Sequence, residues 1–190
     1  MDLSKYKIIL ASGSPRRKQM LDDLGLCFSV RKTNTDESYP VSLNVSNVAE
    51  YLSIKKAASF NNQLASNEIV ITADTVVVID DKILGKPVDK KDAIRMLKLL
   101  SGREHKVISG VCLLTKDKKT AFSSTTKVFF KDLSEKEINY YIDKFQPYDK
   151  AGSYGIQEWI GFIGVERIEG SYFNVVGLPV QRLYEELMKF

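Results

Sequence analysis

Residues 7–17 read Lys-Ile-Ile-Leu-Ala-Ser-Gly-Ser-Pro-Arg-Arg. The apolar run Ile8, Ile9, Leu10 marks a short buried strand, Lys7–Ala11. Helix signals follow at once. Ser14 is placed to cap, Pro15 suits the first helical position, and Gly25 ends the segment Arg16–Leu24. A strand therefore enters a small-residue turn in which a helix begins. The unpaired N–H groups and the positive end of that helix make a seat for phosphate. Gly13 lets a ligand approach the backbone, Ser12 and Ser14 offer hydroxyls, and Arg16 and Arg17 offer planar donor forks. The plainer alternative is a capped helix with two exposed arginines. A similar turn followed by Arg and Lys opens sugar-nucleotide transferases, so that enzyme class competes.

Working outward, strands and helices interleave. Phe28–Arg31 reads as a strand and Lys32 to about Leu43 as a polar loop. Asn47–Phe60 has helical spacing with Ser46 or Asn47 as cap. Ile69–Thr72 reads as a strand ending at Ala73-Asp74, and Thr75–Ile79 continues β-branched to an Asp80-Asp81 turn. Asp89–Leu100 is an amphipathic helix with Ala93, Met96, Leu97 and Leu100 on one face. Lys106–Leu114 and Ala121–Phe130 form a hairpin around a Lys-Asp-Lys-Lys turn. Ser134 followed by Glu137 is a capping box for a helix over Ser134–Phe145. A glycine-rich segment, Ala151–Gly164, leads to a strand near Val165–Ile168 and a closing helix over Pro179–Phe190. The order lacks a strict βαβ period. It predicts an α/β fold with a mixed twisted sheet flanked by helices, as two lobes around a central cleft, in one domain over residues 1–190.

Composition narrows the function. At 44% hydrophobic and 27% charged, the chain is neither disordered nor collagen-like. Its net charge of +4 is mild and alternates in sign along the chain, which predicts solvated helix faces and no nucleic-acid partner. The two cysteines, Cys27 and Cys112, sit in apolar runs and read as buried thiols in a reducing compartment. With His105 they supply three ligands where a structural zinc site needs four. No stretch approaches the ~20 apolar residues of a membrane span, so the expectation is a cytoplasmic protein with no membrane partner.

The remaining chemistry-bearing residues fall in three groups. Asp74, read as the end of a central strand, is placed to hold a divalent cation or activate water; a strand-terminating turn is the alternative. Asp36 and Glu37 in the polar loop could complete a metal site or simply be solvated. Lys86, in Gly85-Lys86-Pro87, and Lys56, beside Lys55 on a helix, could steer phosphates; only one of the adjacent pair is expected to point inward. His105 reads as a structural hydrogen-bonding group. In Lys150-Ala-Gly-Ser-Tyr-Gly-Ile-Gln157, two glycines flank an aromatic ring, and the Gln157 amide matches the edge of a pyrimidine base.

Taken together these segments resemble the Maf family of nucleotide pyrophosphatases. The matching motifs are Ala-Ser-Gly-Ser-Pro-Arg-Arg (11–17), Ala-Asp-Thr-Val-Val (73–77), Gly-Lys-Pro (85–87) and Ser-Gly-Arg-x-His-x-Val (101–107). Lys-Ala-Gly-Ser-Tyr-Gly-Ile-Gln (150–157) and Gly-Ser-Tyr-x-x-Val-Val-Gly-Leu-Pro (170–179) continue the match in family order. The resemblance implies a Maf/ITPase-like fold and hydrolysis of dTTP and UTP to the monophosphate and pyrophosphate with Mg²⁺ or Mn²⁺. It implies Asp74 as proton acceptor with Lys56 and Lys86 beside it, and Glu37 with Asp74 at the metal. Ser12, Arg16, Arg17, Thr75 and Gln157 would bind the nucleotide. A homodimer is implied as well. Three departures stand out: Glu158-Trp159 follow Gln157 where glycine is usual, Ser109 stands for a common threonine, and Thr125 for a frequent glutamate. A nucleotide-binding regulator of cell division without turnover is the other reading. It would not need Asp74.

Overall fold

The computed structural model describes residue 3 and residues 5–32 and 34–190. Two compact units divide the chain, and neither is continuous in sequence. The first comprises Met1–Thr75, Ser109–Ser124 and Gly177–Phe190; the second comprises Val76–Ile108 and Thr125–Val176.

In the first unit, β1 (Lys7–Leu10) pairs in parallel with β2 (Phe28–Val30) on one side and with β3 (Glu68–Ile79) on the other. Helix α1 (Pro15–Asp23) follows β1 with Ser14 as cap and Pro15 at its start, as its sequence dictates. Helix α2 (Val45–Ala58) begins earlier than its spacing suggests. The Asn44 side chain accepts from the Ser46 N–H at 2.9 Å and so takes the capping role from Ser46 and Asn47. Helix α2 lies directly against the strand β5 (Glu104–Leu114). A Cβ at Gly110 would stand 2.2 Å from the Glu50 backbone nitrogen, so no larger residue fits. Ile9, Ala57, Phe60, Val70 and Cys112 pack as the core beside this contact.

Strands β3, β5 and β6 (Lys119–Phe130) each run from one unit into the other, and the sheet order is β2-β1-β3-β5-β6-β7. In the second unit, β4 (Lys82–Leu84) pairs antiparallel with β3 through Asp80 and Asp81, both at positive φ as a two-residue hairpin turn requires. Strand β7 (Val165–Glu169) pairs antiparallel with β6. Helices α3 (Lys90–Leu100) and α4 (Glu135–Phe145) supply Ala93, Met96, Leu97, Leu100, Ile138 and Ile142 to the core, and the Ser134–Glu137 capping box is present. The α/β fold with a mixed sheet agrees with the sequence.

Four expectations are corrected. Asp74 does not end a strand, because Thr72 to Thr75 continue the twelve-residue β3 without a break. The glycine-rich segment contains a 3₁₀ turn at Ala151–Ser153 and the short helix α5 (Trp159–Gly164). A further helix, α6 (Tyr172–Val176), precedes the closing helix α7 (Val180–Leu187). Cys27 is exposed, since it sits in the turn that joins α1 to β2; Cys112 alone is buried, and burial pushes its thiol up to about 11.

Candidate active site

The first unit carries most of the chemistry. At the start of α1, Ser14 N–H donates to Ser12 Oγ at 3.2 Å, and no acidic residue occupies the first helical turn. Gly13 is exposed, and a side chain there would find Lys32 Cε at 3.7 Å. Lys32 is a cation beside this turn that carries no signal in the sequence, where it simply begins the polar loop.

Arg17 turns back into the protein. Its Nε donates to the Gly177 carbonyl at 2.9 Å and its Nη1 to the Ala73 carbonyl at 2.9 Å. Nη2 donates to Thr75 Oγ1 at 3.1 Å, and Nη1 also reaches Ser12 Oγ at 3.4 Å. Thr75 Oγ1 in turn lies 2.8 Å from Ser109 Oγ and 3.3 Å from the Gly177 carbonyl. Burial lowers the guanidinium pKa, with Arg16 acting in the same direction and the Asp74 and Glu37 carboxylates opposing it. Arg17 thus ties α1, β3, β5 and the Gly177 turn together. Ser109 and Gly177 belong to this knot; in the sequence Ser109 stands out only as a departure from a common threonine and Gly177 only as part of the 170–179 motif.

Beside it lies an acid–lysine cluster. Lys56 Nζ, on α2, donates to Glu37 Oε1 at 2.9 Å and to Asp74 Oδ1. The Lys56 and Asp74 side chains are each 13% exposed, against 53% for Glu37, so the loop acid covers an otherwise enclosed pair. Lys55 was expected to point away if Lys56 points in. It also binds the loop, donating to Asp36 Oδ2 at 3.1 Å and to the Ser38 carbonyl at 2.8 Å. Bonds from the Ser38 hydroxyl and Lys55 hold the Asp36 carboxyl down at about 2. Consecutive lysines therefore hold consecutive acids, and Asp36 faces Lys55 rather than Asp74.

Two oxygen-donor carboxylates from different segments converge on one cation position. Among the described residues, no three His, Cys, Asp or Glu side chains are grouped to hold a metal. Glu37 and Asp74 are hard oxygen donors of the kind that, with phosphate and water, could hold Mg²⁺.

The other sequence candidates are distributed as follows. Ser12, Arg16, Arg17, Glu37, Lys56, Asp74 and Thr75 all belong to the first unit. Lys86 and Gln157 belong to the second, where Lys86 is exposed and Gln157 half-buried. Gln157 occupies the turn closed by the Glu158 N–H to Gly155 carbonyl bond at 3.0 Å. His105 is buried, with Nε2 2.7 Å from the Tyr154 hydroxyl, and burial lowers its pKa to about 3. It is structural, as expected. Trp159 packs edge-on against Tyr140 with ring centroids 4.7 Å apart.

The family model for Maf-like protein matches residues 7–190. A dTTP/UTP pyrophosphatase of Parabacteroides distasonis is 52% identical over 190 residues, covering 100% of this chain and 98% of the relative. A second, from Phocaeicola vulgatus, is 53% identical over 189 residues, covering 99% and 98%. Among solved structures, the Staphylococcus aureus Ham1 protein overlaps with a TM-score of 0.47 at 15% identity, covering 66% of this chain and 72% of that one.

Proposed function

Because the chain belongs to the Maf-like family, we propose that it hydrolyses dTTP and UTP between the α- and β-phosphates, releasing the nucleoside monophosphate and pyrophosphate. The observation that carries this reading is the convergence of Glu37 and Asp74 on Lys56, in a chain whose full-length relatives bear that activity as their name.

Asp74 is the proton acceptor for the attacking water. It is largely enclosed, fixed on a long strand rather than a loop, and hydrogen-bonded to Lys56. As the water oxygen bonds to the α-phosphorus, its proton passes to Asp74 and the bond to the bridging oxygen breaks. Pyrophosphate leaves with that electron pair. Glu37 and Asp74 would hold a Mg²⁺ or Mn²⁺ ion, and such an ion offsets phosphate charge when bound. Lys56, Arg16 and Lys86 supply further positive charge toward the triphosphate. Ser12 and the N-terminus of α1 seat phosphate oxygens. Arg17 and Thr75 position this seat, since their polar atoms are already directed at the protein. Gln157 reads the base edge. Its amide makes no hydrogen bond among the described residues, so it is available to a ligand.

The test is pyrophosphate release from a panel of triphosphates with Mg²⁺ or Mn²⁺. Wild type should act on dTTP and UTP, and Asp74→Asn should lose about 10²–10⁴ in kcat while still binding nucleotide. Tight binding with no release by wild type would favour the regulator.

A further inference from the structure

Beside Gln157 the chain carries Glu158, a charge set next to the residue proposed to meet the base. Within the second unit this carboxylate is fully engaged. Tyr141, on α4 and completely buried, donates its hydroxyl to Glu158 Oε2. Lys150 Nζ lies 3.1 Å from Glu158 Oε1, and its side chain is 9% exposed. The same Tyr141 hydroxyl accepts the Gly155 N–H at 3.0 Å. Burial, reinforced by the Glu158 carboxylate, raises the phenol pKa, so the hydroxyl remains a donor at any working pH.

The arrangement is a closed circuit around one turn. Gly155 opens the turn and Glu158 ends it, with Ile156 and Gln157 between them. The backbone N–H at its start and the carboxylate at its end meet on a single phenolic oxygen, and Lys150 anchors the free carboxylate oxygen. The circuit needs glycine at 155, where a Cβ would stand 2.9 Å from Glu158 Cδ and 3.2 Å from Lys150 Cε. Lys150 has a second acid at Asp149, 2.7 Å away, so two carboxylates face this largely buried ammonium.

We propose that Tyr141, Lys150 and Glu158 are positioning residues that fix the Gln157 turn and thereby set which pyrimidine edge the enzyme accepts. The inference rests on the reading of Gln157 given above. The chemistry of the amide supplies the reason. Thymine and uracil offer an N3–H donor beside the O4 acceptor, whereas cytosine offers an N3 acceptor beside an N4 donor. A carboxamide serves the first edge in one orientation and the second after rotating half a turn, which exchanges its oxygen and nitrogen. Holding both ends of the turn fixes the backbone from which the Gln157 side chain reaches the base, so one approach to the base edge is favoured. Releasing them lets the amide meet either edge.

The experiment measures kcat and KM for dTTP and dCTP with wild type, Glu158→Gln, Tyr141→Phe, Gln157→Ala and the double variant Tyr141→Phe/Gln157→Ala. Glu158→Gln keeps an acceptor for Tyr141 but loses the ion pair, so it guards against a folding failure of Tyr141→Phe. The expected result is about a tenfold fall in dTTP-over-dCTP preference in both clamp variants, carried by KM rather than kcat. On the Gln157→Ala background the Tyr141→Phe effect on preference should vanish, because residues acting through one another are not additive. Preference unchanged in the clamp variants while Gln157→Ala abolishes it would overturn the proposal alone. So would clamp and Gln157 effects that add. Wild-type preference in Gln157→Ala would instead overturn the reading of Gln157, and the clamp's role with it.

Discussion

Arg17 donates from Nε, Nη1 and Nη2 to acceptors on β3 and the Gly177 turn, a task for which its planar fork is suited and a lysine is not. Arg17→Lys retains the charge but can satisfy only part of this set, leaving the Gly177 or Ala73 carbonyl without its donor. Stability should fall by about 1–3 kcal/mol, read as a lower urea midpoint at unchanged slope. His105 gives a second prediction at this scale. The folded protein keeps the ring neutral down to about 3, whereas the unfolded chain takes up a proton below about 6.5. Protons therefore favour the unfolded state. Stability is whole above pH 6.5 and is lost as pH falls, by about 1.4 kcal/mol per unit. Asp36 and Glu137, held at about 2, lose their contribution from their ordinary values of 3.8 and 4.5 downward, so the window from pH 6.5 to 5.5 isolates the histidine. Denaturation at pH 6.5 and 5.5 should show a loss of about 1 kcal/mol in wild type and not in His105→Asn.

At the scale of elements, the tight seat of α2 on β5 is decisive for the acid–lysine cluster, because α2 carries both Lys55 and Lys56. Gly110→Ala drives a methyl into the α2 backbone and should cost about 3 kcal/mol. Lys56 would be displaced with the helix, so residual activity should drop further than the folded fraction measured by circular dichroism. Elements with strong local chemistry were legible in the sequence. Ser14-Pro15, the Ser134–Glu137 box and the Asp80-Asp81 turn each satisfy their own backbone groups, and each appears where read. Elements decided by distant contacts were not. Strand β3 continues through Thr72 to Thr75 because pairing with its neighbours overrides the polar residues that look like an ending. Helix α5 forms in a glycine-rich stretch, and its Gly161 lies against the Ile156 carbonyl, where a Cβ would stand at 1.8 Å, a tight fit that no local pattern announces.

For the molecule as a whole, three strands extend from one unit into the other, so neither unit can lose those strands independently. Trp159, the sole tryptophan, reports on the second unit, and buried Cys112 reports on the first. Their unfolding midpoints in urea, by fluorescence and by thiol labelling, should coincide. Cys27 should label at once in the native protein and supplies the internal reference. The site was legible at this scale only in its residue types. The family resemblance pointed to Asp74, Lys56 and Glu37, but convergence on Lys56 depends on a loop, a helix and a strand brought together by folding.

The acceptor for Arg17 Nε lies 160 residues further along the chain. A ribosome adding about 5–20 residues per second reaches Gly177 roughly 10–30 s after it has made Arg17. Throughout that interval the nascent chain has β1 and α1 but not the carbonyl that their arginine requires. The knot around Thr75 therefore cannot close before Gly177 has been added, and the buried guanidinium of Arg17 waits on a carbonyl made long after it.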